Sequence, residues 1–356
     1  MDSKFAFATV FDTTFAVVRY LLEVVVSLNA TEMPSYPLTV DERRAFHRRA
    51  ADLACRFTSA PQDTAIAVEG VPAGLAAFVS RFAEDSGRRG FAVIRGIPID
   101  ALPPTPDSYT TGFLTGHSTS GFLLLVAGLL GSPVGYADEK GGTLIHEVHP
   151  VRGEETRIEN TGAGNLGFHT ENAHHPLRPD FLGLLCLRQD RAGLGASRLS
   201  SVREAAEGFS AETVAILRSP VFHSLYPTSF TRGSSGARPS SPPHPVISGE
   251  DDRLLMRFDA DNTYSHDSRG KTALRELSAA LDASRREIML EPGDLILIDN
   301  HVAAHGRSAF TPRYDGNNRW LRRFYSRRTV PAWVRDHMPA PRVLPSVSEV
   351  SRLARA

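Results

Sequence analysis

Two histidines and a glutamate, far apart in the chain, have the types and spacing to grip one metal ion. GFHTENAHHP holds His169, Thr170 and Glu171, the one H-x-E or H-x-D triplet headed by any of the thirteen histidines. In an extended chain residues i and i+2 share a face, so an imidazole and a carboxylate there can meet one ion. Alone this is a weak signal, since thirteen histidines give such a match by chance. EPGDLILIDNHVAAHGRSAF carries the stronger one: a turn at Glu291, Pro292 and Gly293, an apolar run, then His305 before Gly306 and Arg307. A histidine after a buried strand can complete the set and leave the opposite face of the ion open. Two histidines and one carboxylate with open positions suit non-heme Fe(II) and O2. His301 competes for the role; Gly306, which permits close backbone packing, favours His305. Arg319 opens RWLRRFYS, which alternates like a strand. A buried guanidinium there would neutralise the distal carboxylate of 2-oxoglutarate through paired hydrogen bonds.

These side chains need a frame. The 356 residues are 41% apolar and 22% charged, which supports a large core and argues against global disorder. Lys plus Arg and Asp plus Glu are 40 each, so no overall basic excess exists to attract nucleic acid or anionic lipid. Cys55 and Cys186 form neither a zinc spacing nor a disulfide framework, which fits a reducing cytoplasm. Residues 4 to 28 are apolar, but Asp12, Arg19 and Glu23 interrupt them, against a membrane span. Residues 1–38 are expected to form an N-terminal extension outside the native fold, with Met33 a candidate natural start. Residues 39–356 are expected to form one domain.

Within that domain helices come first. TVDERRAFHRRAADLACRF has early acids, late arginines and apolar residues at helical spacing. VPAGLAAFVSRFAEDSG and SGFLLLVAGLLGSPVGY follow as helices, on either side of a strand in GFAVIRGIPI. Short apolar runs then alternate with turns, interrupted by helical stretches at SVREAAEGFSAETVAILRS and KTALRELSAALDASRR. The order predicts a mainly β sandwich or jelly roll with flanking helices. Thr228 to Glu250 is rich in Ser, Pro and Gly and is expected to be a mobile loop that buries little and closes as a lid.

FHTENAHHPLRPDFLGLLCLRQD and EPGDLILIDNHVAAHGRSAFTPRYDGNNRWLRR resemble the clavaminate synthase-like branch of the Fe(II)/2-oxoglutarate-dependent dioxygenases. Within that branch they are most similar to bacterial arginine and asparagine β-hydroxylases of peptide-antibiotic pathways. The resemblance runs from about Phe91 to Arg328. It implies a double-stranded β-helix, a cupin-like jelly roll, with iron on His169, Glu171 and His305. It places Arg319 on the distal carboxylate of 2-oxoglutarate and Ser197, where the family usually has threonine, on the same co-substrate. For substrate it implies Glu139 and Asn160 at the amino acid head group, Arg323 at its carboxylate, and Asp259 and Asp261 as a clamp for a basic side chain. Fe(II), 2-oxoglutarate and O2 are the implied cofactor and co-substrates. The implied reaction hydroxylates an unactivated carbon of an arginine-like or asparagine-like amino acid, free or on a carrier protein. Desaturation or cyclisation by the same chemistry, a zinc hydrolase and a metal-binding jelly roll without oxygenase activity are the rival readings. The oligomeric state is not legible.

Overall fold

A computed structural model describes residues 33–59, 61, 64–157, 161–230 and 238–354. The N-terminal extension up to residue 32, and Asn160, therefore lie outside the described residues. The boundary expected at residue 38 needs correction. Ser35–Pro37 (β1) pairs in parallel with Phe91–Arg95 (β2), and Leu38 is buried, so the sheet begins inside the supposed extension.

Helix α1, Val40–Ser59, starts at a capping box: Thr39 N–H donates to Glu42 Oε2 (2.9 Å) and Glu42 N–H donates to Thr39 Oγ1 (3.3 Å). It packs with α2, Ala73–Glu84, and α3, Ser118–Leu130, over the outer face of the larger sheet. Almost every residue of α3 is buried, which explains its continuous apolar run. A Cβ on Gly121 would lie 1.9 Å from Ala50 O, so α1 and α3 cross at a distance that only glycine permits.

The remaining long elements are β3 (Ser132–Tyr136), β4 (Ile145–Val148), β5 (Leu166–His169), β6 (Phe181–Arg188), β7 (Ser197–Ser201), α4 (Ser268–Ala283), β8 (Arg286–Ile288), β9 (Leu295–Asp299), β10 (Ala303–Arg307), β11 (Trp320–Arg327) and β12 (Val343–Leu344). The larger sheet runs β1-β2-β9-β6-β11-β3-β12, with β4 also pairing β11. The smaller sheet runs β8-β7-β10-β5. Both are antiparallel except at β1/β2 and β3/β12. This is a jelly-roll arrangement of two sheets with flanking helices, not a closed barrel.

Alternation along each strand sorts side chains between two faces. Leu295 and Leu297 of β9, Leu185 and Leu187 of β6, and Trp320 and Phe324 of β11 join the cluster under the helices. Arg322 shares that outer face of β11. It donates to Glu147 Oε1 (3.0 Å), Thr119 Oγ1 (2.8 Å) and Ser120 Oγ (3.0 Å), while Trp320 Nε1–H donates to Glu147 Oε2 (2.8 Å). Arg319, Leu321, Arg323 and Tyr325 occupy the opposite, inner face. On the smaller sheet Ala304 faces α4, in a second core with Leu277, Leu281, Phe222 and Phe258. His305 and Arg307 alternate with it and face inward.

Two expectations shift. The stretch from Ser201 to Ser219 is two short helices, Val202–Ala205 and Ala211–Leu217, because Ser210 caps the second by accepting from Thr213 N–H. In the supposed lid, Val246 and Ile247 are core residues, and His244 and Phe222 exchange backbone hydrogen bonds. Its distal half is packed structure, because a Pro-rich chain can still bury isolated apolar residues.

Candidate active site

β10 and β5 are neighbours, and His305 lies directly opposite His169 in their register. Their ring centroids are 4.1 Å apart. Glu171 follows β5 in a turn held at both sides. Thr170 N–H donates to Phe258 O (2.7 Å); Glu171 N–H donates to Asn300 Oδ1 (2.6 Å), and Asn300 Nδ2 donates back to Glu171 O (3.0 Å). One ligand atom from each of His169, Glu171 and His305 falls within 4.8 Å of the others.

The protonation states fit a metal. His169 Nδ1–H donates to Gly167 O (3.0 Å), which leaves the Nε2 lone pair for an ion. Burial, with His169 beside it, pushes the His305 imidazole down to about 4, so it is neutral at pH 7. Burial pushes the Glu171 carboxyl up, but Arg323 and the two histidines more than reverse this, and it lies well below the usual carboxylate range. The Nε2 of His169, the neutral imidazole of His305 and the ionised Glu171 carboxylate are the donor set of a facial triad. His301 takes no part. Its Nδ1 accepts from Arg178 Nη2 (2.7 Å) and its Nε2–H donates to Asp180 Oδ1 (2.7 Å).

Arg319 is buried and makes no ion pair among the described residues. Burial pushes its guanidinium down to about 10, still charged at pH 7. Its Cδ would lie 3.0 Å from a Cβ on Gly195, so glycine there gives the arginine stem its room. Arg307 is a second buried cation, unrecognised in the sequence. Arg307 and Arg319 lie 5.1 and 5.9 Å from the ring centroid of Phe310, and Arg307 Nη2 donates to Gly164 O (2.9 Å). Ser197 is the cross-strand partner of Arg307 and is buried. Two inward guanidiniums that form no ion pair among the described residues fit a dicarboxylate co-substrate. Arg307 stands two residues after His305, so strand alternation is the signal that could have found it.

A cavity of about 390 Å3 opens beside the triad, within the range of small-molecule pockets. Arg323 forms its wall, with Nη1 donating to Glu171 Oε2 (2.8 Å) and Nη2 to Glu139 Oε1 (3.0 Å). Tyr325 Oη–H donates to Glu171 Oε1 (3.0 Å). Glu139 Oε2 is buried without a partner among the described residues. Burial raises the Glu139 carboxyl, against the pull of Arg323. Lys140 also lines the cavity, where burial and then Arg323 push its ammonium down to about 8.

The two aspartates part company. Asp259 spends its carboxylate on its own turn, accepting from Asp261 N–H (2.9 Å), Asn262 N–H (3.1 Å) and Asn262 Nδ2 (2.8 Å). Asp261 stands at the cavity mouth beside Gly167, with its carboxyl raised by burial and by Asp259. Thr228 and Arg238 of the Ser/Pro loop line the same cavity, next to Pro227.

Comparison with known proteins agrees with this geometry. Residues 78–325 match the family model "Taurine catabolism dioxygenase TauD, TfdA family". The chain is 41% identical over 258 residues to an L-asparagine oxygenase of Streptomyces coelicolor, covering 71% of this chain and 76% of the relative. Its structure is similar to that of asparagine oxygenase in complex with Fe(II), 2S,3S-3-hydroxyasparagine and succinate, with TM-score 0.81 and 37% identity over 87% of this chain and 99% of that one. It is also similar to the non-heme iron oxygenase OrfP in complex with Fe, succinate and (3S)-hydroxy-L-Arg, with TM-score 0.75 and 30% identity over 88% of this chain and 100% of that one. No helix among the described residues is long and apolar enough to cross a membrane. On its fold, its inward-facing donor set and the match over most of its length, the chain belongs to the TauD/TfdA family and is an Fe(II)- and 2-oxoglutarate-dependent dioxygenase.

Proposed function

We propose that the chain hydroxylates an unactivated carbon of a free L-amino acid. The observation that carries this is Glu139 Oε2, a buried acceptor without a partner among the described residues, next to Arg323 in the cavity beside the triad. A carboxylate and a guanidinium side by side form a receptor for an amino acid zwitterion. Glu139 takes the ammonium and Arg323 the carboxylate, and Tyr325 keeps Glu171 oriented. Asn160 stays part of this proposed head-group site. His169, Glu171 and His305 hold Fe(II), while Arg319, with Arg307 and Ser197 beside it, holds 2-oxoglutarate. Bound there, iron and keto acid supply the oxidising power that places one oxygen atom of O2 on the substrate, with succinate and CO2 released. The protein's share is to fix the target carbon near the ion and keep water out.

The two solved relatives above were obtained in complex with 2S,3S-3-hydroxyasparagine and (3S)-hydroxy-L-Arg, which supports a free substrate over a carrier-bound one. Asp261, a mouth acid that forms no ion pair among the described residues, favours a basic side chain, with Asp259 shaping the turn beneath it. The two free cysteines, Cys55 exposed and Cys186 buried, fit a reducing cytoplasm. The test is incubation with Fe(II), 2-oxoglutarate and the common L-amino acids, following succinate and a product heavier by one oxygen atom. A product lighter by two hydrogens would make the enzyme a desaturase or cyclase. No substrate-dependent succinate would defeat the assignment. Asp261→Asn should raise KM for a basic substrate roughly tenfold and leave an amide substrate unchanged.

A further inference from the structure

The residues after Glu171 lead into a second, smaller cavity of about 270 Å3, lined by His175, Arg178, Asp180, Arg257, His301 and Arg327. The oxygenase chemistry above makes no use of it. Three guanidiniums meet there with one carboxylate, and neutral groups hold each of them. Arg257 donates to Ala173 O (2.6 Å) and His174 O (3.3 Å). Arg327 donates to Arg178 O (2.5 Å) and Thr329 O (3.2 Å). Arg178 Nη2 donates to His301 Nδ1 (2.7 Å). None of the three forms an ion pair among the described residues. Asp180 is already committed, with Oδ1 accepting from His301 Nε2–H (2.7 Å) and Oδ2 from Arg328 N–H (2.8 Å). Asp299 lies within electrostatic reach of Arg178, but it accepts from Ser86, His301 N–H and Arg328.

Two further donors lack acceptors among the described residues. Arg178 Nη1 is buried without a partner. His175 Nδ1 accepts from Leu177 N–H (2.9 Å), which leaves the ring proton on Nε2, also buried and unpartnered. Burial, then Arg257, pushes Arg178 down to about 9, and burial pushes Arg257 down to about 10. Both remain cationic at neutral pH.

We propose that this cavity binds a doubly charged oxyanion of the phosphate class. Three guanidiniums and one carboxylate leave an excess of two positive charges, which one dianion balances. Guanidinium forks match phosphate oxygens, and His175 and Arg178, the residues that carry the unpartnered donors, line the same cavity. The volume falls just below the roughly 300 Å3 at which drug-sized ligands begin to fit. The site borders the metal-carrying turn, since Arg257 holds the carbonyls of Ala173 and His174. Occupancy therefore stiffens the segment that presents Glu171.

The test is thermal unfolding of the metal-free full chain at fixed ionic strength, with inorganic phosphate replacing chloride. A saturable rise in Tm is expected. Arg327→Gln and Arg257→Gln should each raise the half-saturating concentration roughly tenfold or more. Arg319→Gln, which strips the keto-acid pocket, should leave the protection intact. Arg178→Gln lies deeper and carries a risk of misfolding, so the partly exposed Arg327 keeps the test decisive. Glycerol 2-phosphate separates two sources of the same chemistry. Protection by both compounds supports a site open to phosphate esters; protection by inorganic phosphate alone supports a free-ion site. The proposal falls if neither compound protects, if Arg327→Gln and Arg257→Gln respond like wild type, or if Arg319→Gln abolishes the effect.

Discussion

Arg319→Gln separates a binding role from a structural one. Arg319 is 7% exposed, carries a full charge and makes no ion pair among the described residues, so its native environment does little to reward it. A charged hydrogen bond contributes about 1.5–3 kcal/mol, and a forked contact to a carboxylate has two of them. Arg307 remains beside the same Phe310 ring and recovers part of the loss. A net loss of about 3 kcal/mol is expected, on the order of 100-fold in Kd for 2-oxoglutarate. Stability should move the other way or not at all, because an unpaired buried charge disappears. The assay is calorimetric titration of 2-oxoglutarate into the Fe(II)-loaded variant without O2, with urea unfolding of the metal-free form. An affinity within about threefold of wild type, or a stability loss above about 2 kcal/mol, would refute the reasoning.

Other perturbations probe the frame around the site. Asn300→Ala leaves the buried Glu171 N–H without its acceptor and should weaken Fe(II) binding by roughly 10–100-fold in a metal titration; unchanged affinity would show that the turn holds without Asn300. Glu147→Ala strands Arg322, whose side chain is 1% exposed, and should cost about 3–5 kcal/mol in urea unfolding. A cost under 1 kcal/mol would mean that Thr119 and Ser120 suffice for that guanidinium. Gly121→Ala forces α1 away from α3 at Ala50 O and should destabilise by about 1–3 kcal/mol or more, read as a drop in Tm.

Much of this molecule is written locally. The H-x-E triplet is a local signal, because residues two apart on an extended chain share a face, but Glu171 itself lies just past β5 in a turn that Asn300 holds from a distant segment. The turn and apolar run before His305 mark a strand end by the same local chemistry. α1 is bounded by its own capping box of Thr39 and Glu42. The choice between His301 and His305 rested on Gly306, and Gly306 does lie against a neighbouring strand: a Cβ there would approach Leu166 O to 2.7 Å. Composition misled at the Ser/Pro loop, because residue averages cannot see that Val246 and Ile247 reach the core.

Adjacent arginines mark the limit. Arg322 and Arg323 are both buried, and alternation alone requires that they face opposite ways. The sequence by itself determined that one of the two would differ from the other. Only the tertiary structure decided which meets Glu171 and which meets Glu147 under α3, because both faces of β11 are covered and each cover comes from distant chain. The same holds for Arg307 and for the arginines around His301. Whether a buried charge finds an acid or is left to await a ligand depends on what other segments bring within about 4 Å, and no local pattern encodes that.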